Sequence, residues 1–430
     1  MIRMFGIELR RSSALGAALI LVVAGIATLY VTPQRWSHGW MSLAMTQREY
    51  LALLSPLAMA AGAWQSFREH RSHVAELFAS VPRPRPQRIL PILGATALAV
   101  VVAYLVVLAG AIPRLLGTAG YLPVAAFAVT AVGLLAMIAS VWIGLAVGRL
   151  VPALATAPAL AVAGFALQTF APQAFDNPWL FAAFSPSMGM SQFSDYTTVP
   201  GRLTVGQGVW IAALGVAAFV LFAVRGRRAG VAALAPLAVG AAATVLVLPT
   251  GSDFGRATVD PVAQELVCTN DAPRICVSRV HESLLPDVTR SARRALTALA
   301  KVPGLPVTEA HEDTTTYLPL VMPAPRAGTA LMDVGVDKDG GLAHPGRFQT
   351  TLLTNVFAGP RTCTEVNNYG AAHAAALWVL GTDTGLTDPD PEAVALWHHL
   401  RQRPDAADRL AAAYRAAWRC QDAAAVLEAR

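Results

Sequence analysis

Residues 115–148 read LLGTAGYLPVAAFAVTAVGLLAMIASVWIGLAVG and contain no charged side chain. Gly117, Gly120 and Pro123 predict a loop at the start of this stretch, which leaves an apolar helix over about residues 122–147. A helix needs about 20 apolar residues to cross the hydrocarbon core of a bilayer. The stretch therefore predicts a membrane-spanning helix.

The same pattern recurs across the first 250 residues. The other charge-free stretches are 12–34, 50–67, 89–113, 150–175, 203–224 and 229–252. The whole chain is 55% hydrophobic and 14% charged, whereas a soluble chain usually carries about 25% charged residues. The sequence therefore predicts about seven transmembrane helices and excludes a purely soluble protein.

The distribution of charge predicts the orientation of these helices. Residues 1–250 carry a net charge of +10, and residues 251–430 carry −4. With the N-terminus in the cytoplasm, twelve arginines lie in inner segments and four in outer loops, as the positive-inside rule requires. The outer four are Arg35, Arg48, Arg114 and Arg202. Seven spans then place everything after Leu248 outside the cell. The chain has two lysines against 31 arginines, which indicates high-GC coding, so we expect a bacterial plasma membrane.

The charges also exclude several classes of function. No Asp, Glu, Lys, Arg or His falls within a predicted span, which argues against a proton- or sodium-coupled transporter. The chain has no Gly-x-x-x-x-Gly-Lys-[Ser/Thr] loop for a nucleotide phosphate, so a separate subunit would have to hydrolyse ATP. The basic residues follow membrane topology instead of clustering on a soluble face, so we expect no nucleic-acid partner.

The second inner segment, residues 65–88, reads QSFREHRSHVAELFASVPRPRPQR. Its first part, to Ser80, is amphipathic at helical spacing, and Pro82, Pro84 and Pro86 then end the helix in an extended basic link. Such a helix can dock into a groove on a partner protein. It can also lie on the membrane surface with its arginines held by anionic lipid. The residues alone allow both interpretations.

The order of these elements resembles the permease subunit of an ABC-2 type transporter. The elements are an amphipathic N-terminal helix, two spans, the charged helix with its Pro-Arg-Pro-Arg exit, and four further spans. Residues 177–194 carry no charge but contain Pro178, Pro186 and Gly189, and they resemble the extracellular dip between the fifth and sixth spans of that family. The resemblance covers about residues 1–225.

The resemblance implies a mode of action. In that family, the loop between the second and third spans forms a coupling helix that contacts the ATPase. By resemblance, this role falls on Arg68, Glu69, His70, Arg71, Glu76, Phe78 and Pro82. The resemblance also implies a homodimer with nucleotide-binding ATPase subunits that bind the ATP, and no catalytic residue or cofactor in this chain. The seventh predicted span and residues 251–430 depart from the family core.

Residues 251–430 are long enough for one compact domain, and their pattern predicts an α+β fold. Strands are predicted at 266–268, 275–280 and 305–308, with a strand running into a turn at 333–339. Helices are predicted at about 284–301, 366–380, 391–401 and 405–428, the last with Leu410, Tyr414, Trp418 and Cys420 toward a core. The chain is thus predicted to consist of a transmembrane permease-like domain, residues 1–250, and an extracytoplasmic domain, residues 251–430.

The cysteines support an oxidising location for this second domain. All four, Cys268, Cys276, Cys363 and Cys420, lie in the segment predicted to be outside. Disulfides persist in oxidising compartments, and four cysteines allow three pairings. Cys268 and Cys276 flank a predicted tight turn between two strands, which favours that pair and leaves Cys363 with Cys420. Buried free thiols are the alternative.

No complete catalytic or metal-binding motif is found in the outer domain. His281-Glu282 begins like the His-Glu-x-x-His motif of zinc peptidases, but Leu285 stands where the second histidine is needed. The other candidate ligands are His373, His398, His399, Asp337 and Asp339. Adjacent histidines on a helix point in different directions, and the two aspartates lack the glutamate of a calcium loop. Surface histidines and a plain turn are favoured, so we expect no metal site and no enzyme.

The sequence therefore favours a permease subunit that exports an apolar or amphipathic substrate across the plasma membrane, in contact with membrane lipid. ATP would be hydrolysed by a partner chain. The alternative is a membrane-anchored extracytoplasmic protein that binds or senses a ligand. A third interpretation is an extracytoplasmic enzyme on a membrane anchor.

Overall fold

The structure is a computed structural model of the 430-residue chain. It describes residues 14–72, 85–174, 178–188, 190, 194–224, 227–248, 258–317, 320–363, 366, 368–382 and 390–429. These residues form two compact units. The first unit contains the residues up to Trp36, then Trp40–Pro113 and Leu122–Val259. The second contains Ser37–Gly39, Arg114–Tyr121 and Asp260–Arg430. Two short loop segments thus belong to the same unit as the C-terminal residues.

The first unit is almost entirely helical. Its helices are α1 (Ala14–Val31), α2 (Trp40–Glu49), α3 (Leu51–Arg71), α4 (Arg85–Leu115), α5 (Val124–Leu150), α6 (Thr156–Phe170), α7 (Pro178–Phe184), α8 (Gly201–Ala223) and α9 (Arg227–Val247). Short 3-10 turns lie at Pro33–Arg35 and Ala171–Ala174. Strand β1 (Thr197–Thr198) pairs antiparallel with β2 (Thr258–Val259).

Within the described residues, five helical segments are long and apolar enough to cross a membrane. They are Ala14–Val31, Ile89–Leu115, Val124–Leu150, Gly201–Ala223 and Arg228–Val247. The chain therefore has the helices of a membrane protein, and this part of the prediction holds.

Two of the seven predicted spans are not confirmed among the described residues. Helix α6 has 15 residues, which at about 1.5 Å per residue is shorter than the hydrocarbon core. Helix α3 has 21 residues, but it contains Ser55, Gln65 and Ser66 and ends in a charged turn. Those three polar side chains are buried, so α3 is a helix that packs its polar groups against protein.

Glycines bring α3 and α5 into close contact. A Cβ atom placed on Gly144 of α5 would overlap the carbonyl oxygen of Met59 on α3. A Cβ on Gly62 would overlap the carbonyl oxygen of Val141 in the same way, and one on Gly148 would lie 2.7 Å from the Cα of Ala63. Small residues allow helix backbones to approach closely in membrane proteins. The α3–α5 pair therefore depends on these glycines.

The second unit is built on a four-stranded sheet with the order β3-β4-β5-β8. The strands are β3 (Leu266–Cys268), β4 (Arg274–Ser278), β5 (Glu309–Glu312) and β8 (Thr329–Met332), and a separate hairpin is formed by β6 (Thr316–Tyr317) and β7 (Leu320–Val321). Strand β3 runs antiparallel to β4, whereas β4, β5 and β8 are parallel. Parallel pairs require crossover connections, and α10 (Leu285–Leu299) lies between β4 and β5 in the chain.

Helices cover this sheet and enclose the core of the second unit. After α10 they are α11 (Pro345–Ala358), α12 (Tyr369–Leu380), α13 (Pro391–Arg401), α14 (Ala406–Ala417) and α15 (Ala423–Glu428). The core contains Ile275 and Val277 of β4, Val288 and Ala292 of α10, and Phe357 of α11, all at most 2% exposed. The α+β architecture of this region agrees with the prediction.

The structure corrects several details of the second unit. The strand predicted at 305–308 forms instead at Glu309–Glu312, and α11 was not predicted at all. The predicted helix over 405–428 is two helices, because Cys420 has a φ of 56° and the side chain of Asp422 caps the start of α15. Cys420 is exposed instead of facing the core, whereas Leu410 and Tyr414 are buried.

Candidate functional site

The structure describes only part of the expected coupling segment. Arg68, Glu69, His70 and Arg71 form the last turn of α3, and the arginines and the histidine are exposed. Glu69 accepts a hydrogen bond from Nε2 of Gln65 at 2.9 Å. Three of the expected residues, Glu76, Phe78 and Pro82, lie outside the described residues. The described end of α3 therefore presents a basic, accessible turn.

The cysteines form two pairs at disulfide distance. Cys268 pairs with Cys276, and Cys363 pairs with Cys420, which is the pairing that the sequence favours. Cys268 and Cys276 are direct partners on the antiparallel strands β3 and β4. The second pair joins the segment after α11 to the end of α14.

The histidine of the incomplete zinc motif lies in a buried polar pair. Nδ1 of His281 is 2.5 Å from Oε1 of Glu312, and these side chains are 1% and 0% exposed. The other carboxylate oxygen of Glu312 accepts the backbone N–H of Ser278 at 2.6 Å. Glu282 is exposed and stands apart from this pair. Glu312 therefore links β5 to the end of β4, and its contact with His281 gives that histidine a structural role.

The other candidate ligands are not brought together. In the part of the chain that the structure describes, no three His, Cys, Asp or Glu side chains are arranged to hold a metal ion. Oδ1 of Asp337 accepts the backbone N–H groups of Asp339 and Gly341, each at 2.8 Å, as in a plain turn. His398 and His399 are exposed, whereas burial lowers the pKa of His373.

A buried polar cluster in the first unit is the most distinctive site of the molecule. Its centre is Gln207 of α8, which is 0% exposed. The Nε2 group of Gln207 donates to the carbonyl oxygens of Ala182, Ser185 and Met188 at 2.7, 3.1 and 3.1 Å. These carbonyls lie at and just after the C-terminal end of α7, where a helix leaves its last carbonyl groups unpaired. Gln207 therefore supplies hydrogen bonds to the backbone carbonyl groups at which α7 ends.

Arg48 of α2 belongs to the same cluster. Its Nη2 donates to Oε1 of Gln207 at 2.5 Å, and its Nε donates to the carbonyl oxygen of Pro186 at 3.0 Å. The Arg48 side chain is 0% exposed. A cation at a helix C-terminus is favoured by the partial negative charge of the carbonyls there. Arg48 and Gln207 thus clamp the backbone that follows α7 from two different helices.

A second glutamine completes the cluster. Oε1 of Gln168, on α6, accepts hydrogen bonds from the hydroxyls of Ser185 and Ser187 at 3.1 and 2.7 Å. Nε2 of Gln168 donates to the carbonyl oxygen of Leu51 at 3.4 Å. Ser185 and Ser187 are 3% and 5% exposed. The non-helical backbone after α7 is therefore held from α2, α6 and α8 at once.

The sequence identifies the irregular segment after α7 but not its hydrogen-bond partners. Residues 177–194 are predicted to break a through-going helix, and the structure gives a helix of seven residues there, followed by buried irregular backbone. Arg48 was assigned to an outer loop, and Gln168 and Gln207 fell in charge-free stretches. An uncharged amide inside an apolar helix is the signal that marks Gln168 and Gln207, because such amides form hydrogen bonds between membrane helices.

The second unit contains a small cleft of about 60 Å³. Its lining includes Met322, Arg326, Tyr414 and Trp418. The hydroxyl of Tyr414 donates to the carbonyl oxygen of Ala327 at 2.7 Å, and burial raises the pKa of this phenol to about 12. Ligand pockets usually measure about 300–1,000 Å³. The cleft therefore has room for a few water molecules or a small side chain.

Comparisons with known proteins found no matching family model, no similar curated protein and no similar solved structure.

Proposed function

We propose that this chain is the permease subunit of an ATP-driven exporter of the ABC-2 type. It moves an apolar or amphipathic substrate across the plasma membrane, and a separate nucleotide-binding subunit hydrolyses the ATP. In this proposal two copies of the chain form the pathway, the N-terminus is cytoplasmic, and the C-terminal α+β region is extracytoplasmic.

One observation carries the proposal: the interrupted helix of the first unit. Helix α6 ends at Phe170, α7 ends at Phe184, and Ser185 and Ser187 are buried in the non-helical backbone that follows. Non-helical backbone at membrane depth is tolerated only where protein or a water-filled cavity satisfies its polar groups. The hydrogen bonds of Arg48, Gln168 and Gln207 supply that satisfaction. Interrupted helices held in this way are typical of transporters, in which they form substrate sites.

The charge pattern of the spans supports an apolar or amphipathic substrate. Asp, Glu, Lys and His are absent from the five candidate spans, and their arginines fall in first or last turns. Ionisable groups inside a membrane mark ion pathways and proton relays. A pathway lined by such helices therefore favours cargo with a large apolar part over inorganic ions.

In this proposal α3, and α6 with the 3-10 turn that follows it, also cross the membrane, so the end of α3 lies on the cytoplasmic side and supports binding of a partner there. Arg68, His70 and Arg71 are exposed there, on the segment that leads into the predicted coupling helix. Exposed basic side chains pair with carboxylates across protein interfaces and set the orientation of docking. The ATPase is expected to present acidic groups to this turn.

The proposal is tested by purifying the full chain from its native membranes in a mild detergent and identifying the proteins that accompany it. We expect a soluble nucleotide-binding subunit that hydrolyses ATP. The double substitution Arg68→Glu with Arg71→Glu is expected to release it, because it reverses the charge of the docking turn.

Arg202→Glu provides the matched control. Arg202 is an exposed arginine in the first turn of α8, on the side predicted to face away from the cytoplasm. This variant is expected to retain the ATPase. Failure of any ATPase to accompany the wild-type chain, or equal retention by both charge-reversed variants, would contradict the proposal.

A further inference from the structure

The buried charge of Arg48 has no counter-charge within the described residues. Its Nε and Nη2 groups bind neutral oxygens of Pro186 and Gln207, and its Nη1 group has no hydrogen-bond partner among the described residues. The adjacent carboxylate, Glu49, pairs with Arg35 at 2.6 Å. A guanidinium stays protonated in proteins, so Arg48 is a buried cation.

Three further polar atoms, on α2, α3 and α4, are buried and lack hydrogen-bond partners in the described structure. They are Oε1 of Gln47, the hydroxyl of Tyr104 and the hydroxyl of Ser55. The Nε2 group of Gln47 donates to the carbonyl oxygen of Tyr104 at 2.8 Å, which joins α2 to α4. Gln47 and Arg48 are adjacent on α2, so this hydrogen bond places the backbone of Tyr104 next to the turn that carries Arg48. Donors and acceptors without partners therefore accompany the uncompensated cation.

An uncompensated charge at Arg48 is costly because its side chain is closed to water, and the neighbouring Tyr104 lies in apolar surroundings. Tyr104 packs in a cluster with Leu51, Leu54, Val132 and Met137, whose side chains are at most 9% exposed. Removing a charge from water into apolar surroundings is strongly unfavourable unless an opposite charge and hydrogen bonds accompany it. The buried polar atoms without partners also indicate a bound group, because nearly all buried polar atoms in proteins form hydrogen bonds with protein, water or a ligand.

The chemistry of the donors selects an oxyanion. Nη1 of Arg48 still carries two N–H groups, and guanidinium groups bind phosphate and carboxylate oxygens with strong, directional hydrogen bonds. The Tyr104 hydroxyl is a further buried donor without a partner in the described structure. The apolar side chains beside it suit a hydrocarbon tail.

We infer that Arg48 and Tyr104 bind the oxyanion headgroup of an amphiphile whose tail lies among the apolar helices. The ligand is an anionic amphiphile such as a phosphorylated lipid. The inference rests on the proposed function, because it identifies this amphiphile as the exported substrate. Binding of the headgroup supplies the counter-charge that Arg48 lacks and couples the substrate to the backbone that follows α7.

The test is equilibrium binding to the purified full chain in a neutral detergent, followed by intrinsic tryptophan fluorescence. The probes are dioctanoyl phosphatidate, dioctanoylglycerol as its uncharged counterpart, and inorganic phosphate. We expect saturable binding of phosphatidate, at least about tenfold weaker binding of dioctanoylglycerol, and intermediate or weak binding of phosphate, because a hydrogen bond to a charged group contributes about that factor or more. Binding of inorganic phosphate as tight as that of phosphatidate would overturn the assignment to an amphiphile.

Substitutions locate the site. Arg48→Gln is expected to weaken phosphatidate binding by about tenfold or more, since it removes the charge that recognises the anion. Arg202→Gln, at an exposed arginine, is expected to leave binding unchanged. Equal phosphatidate affinity in Arg48→Gln and wild type, or no phosphatidate binding by the wild-type chain, would overturn the inference.

Tyr104→Phe keeps the test decisive if Arg48→Gln fails to fold. This substitution removes a hydroxyl with no partner in the described structure, so the fold is expected to survive. Phosphatidate binding is expected to weaken several-fold, whereas a purely structural role for Arg48 predicts no change. Because the assay needs no ATPase, it separates failure of the anion site from failure of the proposed transport function.

Discussion

Arg48 of α2 donates a hydrogen bond to Gln207 of α8 across 159 positions of sequence, at 2.5 Å, and both side chains are closed to solvent. Through this contact the two side chains hold the backbone that follows α7. The positive charge of Arg48 interacts favourably with the carbonyl dipoles at the end of that helix, and Gln207 donates hydrogen bonds to the carbonyl oxygens there. The first unit is therefore organised around a polar contact in an otherwise apolar helical assembly.

Loss of the glutamine clamp is expected to destabilise the first unit. Gln207→Leu removes the donor to three buried carbonyl groups and the acceptor for Arg48. We expect a loss of about 2 kcal/mol or more in the free energy of unfolding, because each buried polar group left unpaired is costly. Thermal unfolding in detergent measures the effect. Gln173→Leu, at an exposed glutamine, is the control, and equal melting temperatures for the two variants would disprove the clamp.

The contact between α3 and α5 is expected to tolerate no side chain at Gly144. Gly144→Ala places a methyl group against the backbone of Met59, which cannot move without separating the helices. Overpacking of this kind typically costs about 1–3 kcal/mol. Gly16→Ala is the matched control, since a Cβ on Gly16 has nothing within 4 Å. A Gly144→Ala variant as stable as Gly16→Ala would show that these helices are not in close contact.

The two cysteine pairs are expected to differ in their contribution to stability. Cys363 and Cys420 are 57 positions apart, and Cys268 and Cys276 are 8 apart. Loop-closure entropy then predicts losses of about 4 and about 2.5 kcal/mol when each pair is replaced by serines. Chemical denaturation of the two double-serine variants measures the ranking. A larger loss for the Cys268–Cys276 pair would contradict the loop-closure argument.

Acid is expected to remove one stabilising interaction of the second unit. Hydrogen bonds from Arg409 and Arg403 lower the pKa of Asp405 to about 2. The unfolded-state pKa of an aspartate is about 3.9, so the carboxylate contributes stability above that pH and loses it as the pH falls through about 2.

The variant Asp405→Asn measures this contribution. Its melting temperature is expected to lie below that of wild type at neutral pH, and the difference is expected to close between about pH 4 and pH 2. Asp408→Asn, at an exposed aspartate on α14, is the control. A difference that stays constant across this pH range would show that Asp405 does not stabilise the fold through its charge.

Local sequence patterns were sufficient for some elements of the second unit. Strand β3 forms over Leu266–Cys268, and α13 begins at Pro391 after the capping residue Asp390, both as predicted. Helix α11 was missed because its sequence PGRFQTTLLTNVFA contains threonines and an asparagine, which are weak helix formers. Strand β5 was missed because it reads Glu-Ala-His-Glu, and only its pairing with β4 and β8 makes it a strand.

The candidate site was predictable only in part, for a physical reason. Proline and serine in residues 177–194 indicate broken helix, since proline lacks the N–H that a helix needs. Arg48 is 138 positions from Pro186 of that segment and 159 positions from Gln207, and no local pattern specifies which polar side chain will reach a given carbonyl. Arg48 carries the same charge as the topology-setting arginines, so the sequence does not distinguish its buried environment from theirs.

The most direct test of the account is ATP-driven movement of an anionic amphiphile across a membrane. The chain and the ATPase purified with it are placed in lipid vesicles, and fluorescent phosphatidate is followed from one leaflet to the other. We predict movement that requires ATP hydrolysis and is lost when Arg68 and Arg71 are both replaced by glutamate. Movement at the same rate without ATP, or no movement although the ATPase is bound and active, would contradict the account and direct attention to the second unit.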